Sequence, residues 1–140
     1  MSNLSKIVKK FNDFTEDMLN QMYISTDDND IRVYESMFSK LRKINSTKAI
    51  EQFIIFVLPY KDKIINEDES FFLNQDESNL IKDDSQDNIM KALKFKQLWS
   101  SLSNNSKENL FKFFKVLVYY AEEYFKNKYS NLINNETKMC

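Results

Sequence analysis

The sequence predicts an all-α fold, a bundle of about five helices with a long acidic loop between the third and fourth helices. Two observations support this prediction. Apolar residues recur at steps of three and four along most of the chain, which is the spacing of one helix face. The chain contains no glycine and a single proline, Pro59, so tight β-hairpin turns and phosphate-cradling loops lack their usual residue.

The length and composition predict one folded domain. A chain of 140 residues has the size of an ordinary domain and can bury a real core. Hydrophobic residues make up 42% and charged residues 29%, which is typical of globular proteins and unlike a disordered chain. We therefore expect residues 1–140 to form a single helical domain, with a core rich in the rings of its 12 Phe and 7 Tyr.

The first two helices are defined by their apolar spacing and by the polar segment between them. The first helix carries one apolar stripe: Leu4, Ile7, Val8, Phe11, Phe14, Met18, Leu19 and Met22. Thr26 to Asp30 ends it and offers N-caps for the second helix. The apolar positions of that second helix are Ile31, Tyr34, Met37, Phe38, Leu41 and Ile44. Lys40, Arg42 and Lys43 lie in its last turns, where cations suit the helix dipole.

The third helix is predicted from about Lys48 to Leu58, capped by the segment from Asn45 to Thr47. Ile55 and Phe56 make it apolar on nearly every side, which is typical of a helix in the middle of a core. We expect Pro59 to break or bend the chain, because the residue before a proline avoids the α region.

An acidic loop is predicted from about residue 62 to residue 88. Its first acidic cluster is Glu67, Asp68 and Glu69, and the apolar triplet Phe71, Phe72 and Leu73 follows and is expected to pin the loop to the body. The loop does not fit an EF-hand, which needs glycine at its sixth position.

The fourth helix is predicted to begin near residue 87 and to end before the segment from Ser103 to Ser106. We expect its Trp99 to pack across to the last helix as a core residue. Asn105 and Glu108 resemble a capping box for that last helix, which has the broadest apolar face in the chain and should fray into a polar tail at about 134–140.

The residue types disfavour catalysis and metal binding. The chain has no histidine and one cysteine, Cys140, so it lacks the usual acid–base group near pH 7, the commonest metal ligand and any intrachain disulfide. Glu51, Glu122 and Glu123 are expected on solvent-facing helix positions, and serines near residues 100–103 are explained by capping. We predict no catalytic residues, metal site or cofactor, and expect a non-enzymatic protein.

No segment of the sequence resembles a signal peptide or a membrane span. The most apolar run covers only residues 53–58, far short of the ~20 residues that cross a bilayer. The expectation is a soluble intracellular protein, in the cytoplasm, with no membrane partner.

Protein–protein interaction, as an adaptor or a structural part of an assembly, is the predicted function. One candidate surface is the acidic loop, in which Phe71, Phe72 and Leu73 dock into a partner while the preceding carboxylates steer a basic partner. The other is the last helix, whose apolar face is too broad for one bundle and would bury its excess in a homodimer.

Two alternatives remain open. In the first, a lysine patch formed by Lys91, Lys94, Lys96, Lys112 and Lys115 binds nucleic acid through phosphate contacts. The net charge of −1 argues against general phosphate attraction, although the charge is segregated along the chain. In the second, the protein regulates host proteins through an exposed apolar helical groove.

Two stretches carry a resemblance to a group of viral proteins. They are the proline-tyrosine turn with its acidic, Phe-containing loop at 58–73, and the Leu-Trp helix with the aromatic helix at 98–117. Together they resemble short helical proteins of nucleocytoplasmic large DNA viruses, the giant viruses. The resemblance implies an intracellular viral protein of the host cytoplasm or the virion, and it implies no activity.

Overall fold

The first helix, α1, spans Asn3–Thr26 in the computed structural model, which describes residues 3–70 and 97–138, with side chains up to residue 130. Its predicted stripe faces inward, with Val8, Phe11, Met18 and Met22 buried. The helix ends at Asp27, which adopts a left-handed φ of 52° while its N–H donates to the Tyr23 carbonyl at 2.7 Å. Glycine usually fills this position, so aspartate substitutes for it here.

The second helix, α2, spans Asn29–Ile44. Asp28 caps it as predicted, because its carboxylate accepts a hydrogen bond from the Asp30 backbone N–H at 2.8 Å. The helix packs along α1. Its row of Ile31, Glu35, Phe38 and Arg42 lies on the α1 side, where Ile31 is fully buried.

The third helix, α3, spans Lys48–Phe56 and gives way to a 3-10 turn at Leu58–Tyr60 and a short helix, α4, at Lys61–Ile65. The break at Pro59 is confirmed. The predicted cap differs, because Thr47 makes no capping hydrogen bond and donates its hydroxyl to Asn45 instead. The predicted central position of α3 is wrong, since only Ile50 is fully buried and its last two apolar residues are exposed.

Residues 97–101 are helical and lead into α5, which spans Asn104–Lys138. Trp99 is buried and meets Phe111 edge to face, with ring centroids 5.3 Å apart, which confirms its core role. Ser103 rather than Asn105 caps α5, because the Ser103 hydroxyl accepts the Ser106 N–H at 3.2 Å. The helix continues to Lys138, through most of the polar segment predicted at about 134–140.

The bundle is built around the pairing of α1 with α5, the most extensive helix–helix interface in the described residues. Ser25 contacts Ser106, and Phe14 stacks on Tyr120 with centroids 5.8 Å apart. The two helices therefore run antiparallel. Helices α3 and α4 pack on α5, and α2 lies on the outer side of α1. The all-α class is confirmed, because residues 3–70 and 97–138 contain no strand.

None of the helices in the described ranges combines the length and the hydropathy that a bilayer crossing requires. The predicted acidic loop begins later than expected, since α4 continues to Ile65 and the chain turns at 66–69. Residues 71–88 of that loop lie outside the described residues.

Candidate functional site

The predicted acidic cluster forms the turn that ends α4. The Glu67 N–H donates to the Ile64 carbonyl and the Asp68 N–H donates to the Lys63 carbonyl, which is the hydrogen-bond pattern of a Schellman cap. Glu67 takes the left-handed position of that cap, with φ at 54°. Hydrogen bonds from the Ser70 hydroxyl and backbone N–H lower the pKa of Asp68. This cluster therefore has a structural role in ending the helix.

The acidic cluster also pairs with lysines of α5. The Lys107 ammonium lies 3.0 Å from a Glu69 carboxylate oxygen, and Lys115 lies 3.8 Å from Glu67. The structure thus brings Glu67 of the predicted acidic surface close to Lys115 of the predicted lysine patch. Both pairs are partly exposed, so each contributes little to stability, but they reduce the charge available to a steered partner.

The other residues of the two predicted surfaces are distributed as follows. Lys112 is exposed on α5 and forms no ion pair within the described part of the chain. The remaining predicted site residues lie outside the described residues: Phe71, Phe72, Leu73, Lys91, Lys94 and Lys96. The nucleic-acid hypothesis and the Phe-docking hypothesis therefore both stay predictions.

The apolar face of α5 is largely covered by the protein's own helices. Buried residues on this face are Leu110, Phe111, Leu117, Val118, Ala121 and Tyr124. Phe125 and Tyr129 remain partly exposed, and their rings contact each other with centroids 4.4 Å apart. Within residues 104–130 of α5, most of this apolar face is thus buried within the chain, and the homodimer stays a prediction.

Two of the three carboxylates considered for acid–base work, Glu51 and Glu122, have structural partners. Glu51 lies 3.4 Å from the Tyr124 hydroxyl and 3.9 Å from the Lys128 ammonium. Glu122 accepts a hydrogen bond from Lys61 at 3.1 Å. Within the residues that the structure describes, no three acidic or thiol side chains converge as metal ligands would.

An open cleft of about 560 Å³ lies between the start of α1, the loop after α2 and Tyr124. Its volume suits a small ligand. Its cations are already neutralised, because Lys9 pairs with Asp13 at 3.0 Å, and Arg42 pairs with Asp13 at 2.6 Å and with Glu16 at 3.2 Å. Among the described residues that line the cleft, both cations are therefore engaged in ion pairs rather than free to bind an anion.

The outward face of α2 exposes four large apolar residues, more than any other helix does among the side chains that the structure describes. Its residues are 53%, 53%, 37% and 84% exposed, in the order Val33, Met37, Leu41 and Ile44. Spacings of four, four and three place them in one row. We call this row the α2 stripe. It runs for about 16 Å, or three helical turns.

A polar row lies beside the α2 stripe, one residue earlier at every position: Arg32, Ser36, Lys40 and Lys43. Arg32 is engaged, because its guanidinium pairs with Glu35 at 3.2 Å and lies 3.7 Å above the centre of the Tyr23 ring. Lys40 and Lys43 are exposed and form no ion pair in residues 3–70 or 97–130. The stripe is therefore bordered on one side by free positive charge.

Comparison with known proteins finds one relative from a giant virus. The chain is similar to "Uncharacterized protein R465" of Acanthamoeba polyphaga mimivirus, with 26% identity over an alignment of 140 positions. The alignment covers 95% of this chain and 76% of the relative. No protein-family model and no solved structure matches the chain. The likeness agrees with the viral resemblance in the sequence, at a distance too great to define a family.

The apolar spacing of α2 does not reveal the α2 stripe, because it gives Met37, Leu41 and Ile44 as apolar positions of the helix without separating them from Ile31. The apolar positions of α2 in fact cover two rows on different sides of the helix. The row containing Ile31 faces α1, whereas the stripe faces away. One signal was present in the sequence, since the apolar arc of α2 is wider than a single helix contact can cover.

Proposed function

We propose that this protein is a non-enzymatic interaction module that binds a protein partner across the α2 stripe. The observation that supports the proposal is the continuous row of four large apolar side chains left uncovered by the bundle. Single exposed apolar residues are ordinary on protein surfaces, whereas contiguous apolar patches mark binding surfaces. Burying the row against a partner would remove apolar area from water and provide the driving force for association.

The composition of the α2 stripe suits a helical partner. Its three-turn length and its spacing of three and four match the ridges through which helices pack on one another. Met37 lies at its centre, and methionine adapts its shape to a partner surface. The docking site therefore differs in position from both surfaces that the sequence predicts, although the predicted class of function is the same.

The proposed setting is an intracellular viral assembly. The giant-virus relative supports this setting, and the sequence resemblance to short giant-virus proteins points the same way. We propose that the protein acts in the host cytoplasm or in the virion, as an adaptor or a structural part.

Site-specific photo-crosslinking tests the proposal. A photoreactive amino acid replaces Met37 in the full-length protein, which is produced in its natural cellular setting and irradiated. We expect a discrete crosslinked partner, and we expect Ile44→Glu in the same chain to abolish it because a carboxylate cannot be buried in an apolar interface. Ile44 is so exposed that this variant should keep the circular dichroism spectrum of the wild type.

The matched control is Ile65→Glu, the same substitution at a half-exposed isoleucine of α4, a helix that packs on α5. This variant should leave the crosslink unchanged. Loss of the crosslink in both variants, or its absence from the wild type, would contradict a binding role for the α2 stripe.

A further inference from the structure

We infer that the segment bound by the α2 stripe is an acidic amphipathic helix of another protein. This inference rests on the proposed function and adds the chemistry of the partner. An amphipathic helix lays its apolar face on a complementary row, with contacts about three and four residues apart. The charged residues along the edge of that helix then meet the polar row of α2.

The positive charge of that polar row favours a partner helix with negative charge along its edge. Lys40 lies three residues after Met37 and four before Ile44, so it neighbours both on the helix surface, and Lys43 lies three residues after Lys40 in the same polar row. Neither lysine has an acidic partner in the described residues. A bound helix with Glu or Asp along this edge gains ion pairs, whereas one with Lys or Arg is repelled.

A comparison with Arg42 on the same helix strengthens this argument. Arg42 lies on the side of α2 that faces α1, and there two carboxylates neutralise it, Asp13 at 2.6 Å and Glu16 at 3.2 Å. The protein thus supplies acidic partners to the cation of α2 that is covered. Lys40 and Lys43 lie on the uncovered side, where an external helix would supply the equivalent carboxylates.

Two designed helical peptides test the inference in fluorescence anisotropy titrations with the full-length protein. Both peptides carry leucines at helical spacing, and they differ only in having Glu or Lys along one edge of the apolar face. We expect the Glu peptide to bind about tenfold more tightly than the Lys peptide, as two exposed ion pairs gained and two repulsions avoided imply. Ile44→Glu should weaken the binding of the Glu peptide strongly.

The double variant Lys40→Glu/Lys43→Glu should reverse the preference between the two peptides. The control, Lys112→Glu/Lys126→Glu, makes the same charge change at two exposed lysines of α5 and should leave the preference unaltered. Raising the salt concentration should narrow the difference between the peptides, because exposed charges are screened.

Several results would overturn the inference: equal binding of both peptides, binding of neither, or a preference unchanged by the lysine reversal. Two other occupants are tested in parallel. Stripe-dependent self-association in sedimentation would indicate a second copy, and stripe-dependent binding to anionic phosphatidylserine vesicles would indicate a lipid surface. Each of these outcomes also counts against an acidic helix. The proposed function fails separately, through loss of the Met37 crosslink, so the two failures are distinguishable.

Discussion

Asn12 is a buried polar residue of α1 that lies beside the loop between α2 and α3. It is 1% exposed, and its amide donates to the Ser46 carbonyl at 2.9 Å. Its own carbonyl oxygen has no hydrogen-bond partner in the described residues. The single bond therefore ties the middle of α1 to the loop between α2 and α3, at the cost of one unsatisfied buried acceptor.

Asn12→Ala should lower the free energy of unfolding by about 1–3 kcal/mol, because it removes the link to Ser46 and leaves a cavity. Urea unfolding followed by circular dichroism measures the change. Asn20→Ala, at an exposed position of the same helix, is the matched control and should be neutral or slightly stabilising. Equal effects of the two variants would show that the Ser46 link contributes nothing.

Glu67 occupies the position of the α4 cap that normally belongs to glycine. A side chain with a Cβ is strained at the left-handed φ of 54°. Glu67→Gly should therefore raise the free energy of unfolding by about 1 kcal/mol, even though it removes the long contact with Lys115.

Glu67→Ala separates the two contributions to this effect, because it removes the same carboxylate but keeps the Cβ. In thermal unfolding, the midpoint temperature of Glu67→Gly should be higher than that of the wild type, and that of Glu67→Ala should be equal to it or lower. A destabilised glycine variant would mean that the ion pair with Lys115 outweighs the backbone strain. The sequence predicts the charge of Glu67 but cannot reveal its φ, because the left-handed turn arises only where α4 meets α5.

At the scale of helices, Ser103 and Asn105 are the two candidates for the N-cap of α5. The Ser103 hydroxyl accepts the Ser106 N–H, whereas the sequence pattern favours Asn105. Ser103→Ala should lower the unfolding free energy by about 1 kcal/mol through loss of the cap. Asn105→Ala, inside the first turn, should change it little. Chemical denaturation of both variants measures their free energies of unfolding. A larger loss of stability for Asn105→Ala would indicate that Asn105 is the cap, as the sequence pattern predicts.

The helices themselves are largely predictable from periodicity, but their surroundings are not. The spacing of Val8, Phe11 and Met18 predicts α1 and its buried face correctly, and Pro59 marks the end of α3. The predicted burial of α3 is wrong because the apolar residues at the end of the helix are not covered by another helix among the described residues. Ile55 and Phe56 lie where the chain turns away at the 3-10 turn.

At the scale of the whole molecule, α2 is held to α1 by a charge cluster around Asp13. Hydrogen bonds from Arg42 and then Lys9 lower the pKa of Asp13 below its ordinary value of 3.8. A carboxyl group with a lowered pKa stabilises the fold fully above its unfolded pKa, and this contribution disappears as the pH falls through the folded pKa. The effect is modest, since Asp13 is partly exposed.

Asp13→Asn should therefore destabilise the protein slightly at pH 7, and its deficit relative to the wild type should shrink as the pH falls below 3.8, the ordinary pKa of the group. Urea unfolding across this pH range gives the comparison. Asp17→Asn, at an exposed position of the same helix that forms no ion pair among the described residues, controls for loss of a charge. A deficit that persists at low pH would show that Asp13 acts through packing instead.

The proposed site keeps the class of function that the sequence predicts, but it lies at a different place in the chain. Composition points to interaction rather than catalysis, since histidine and glycine are missing. The α2 stripe, in contrast, depends on which of two apolar rows α1 covers. The covered row is the one in which Ile31 is buried and Arg42 pairs with Asp13 and Glu16 of α1, and no local pattern encodes these contacts between distant residues.

The antiparallel pairing of α1 with α5 has a consequence for the order in which the chain folds during synthesis. Local contacts can form α1 and α2 as a helical hairpin soon after they leave the ribosome. The part of the α1 face that packs on α5, including Phe14 and Met22, stays uncovered until α5 is translated several seconds later at ordinary elongation rates. The nascent chain thus exposes the apolar face of α1 during this interval. We expect chaperones that shield hydrophobic segments to bind it there.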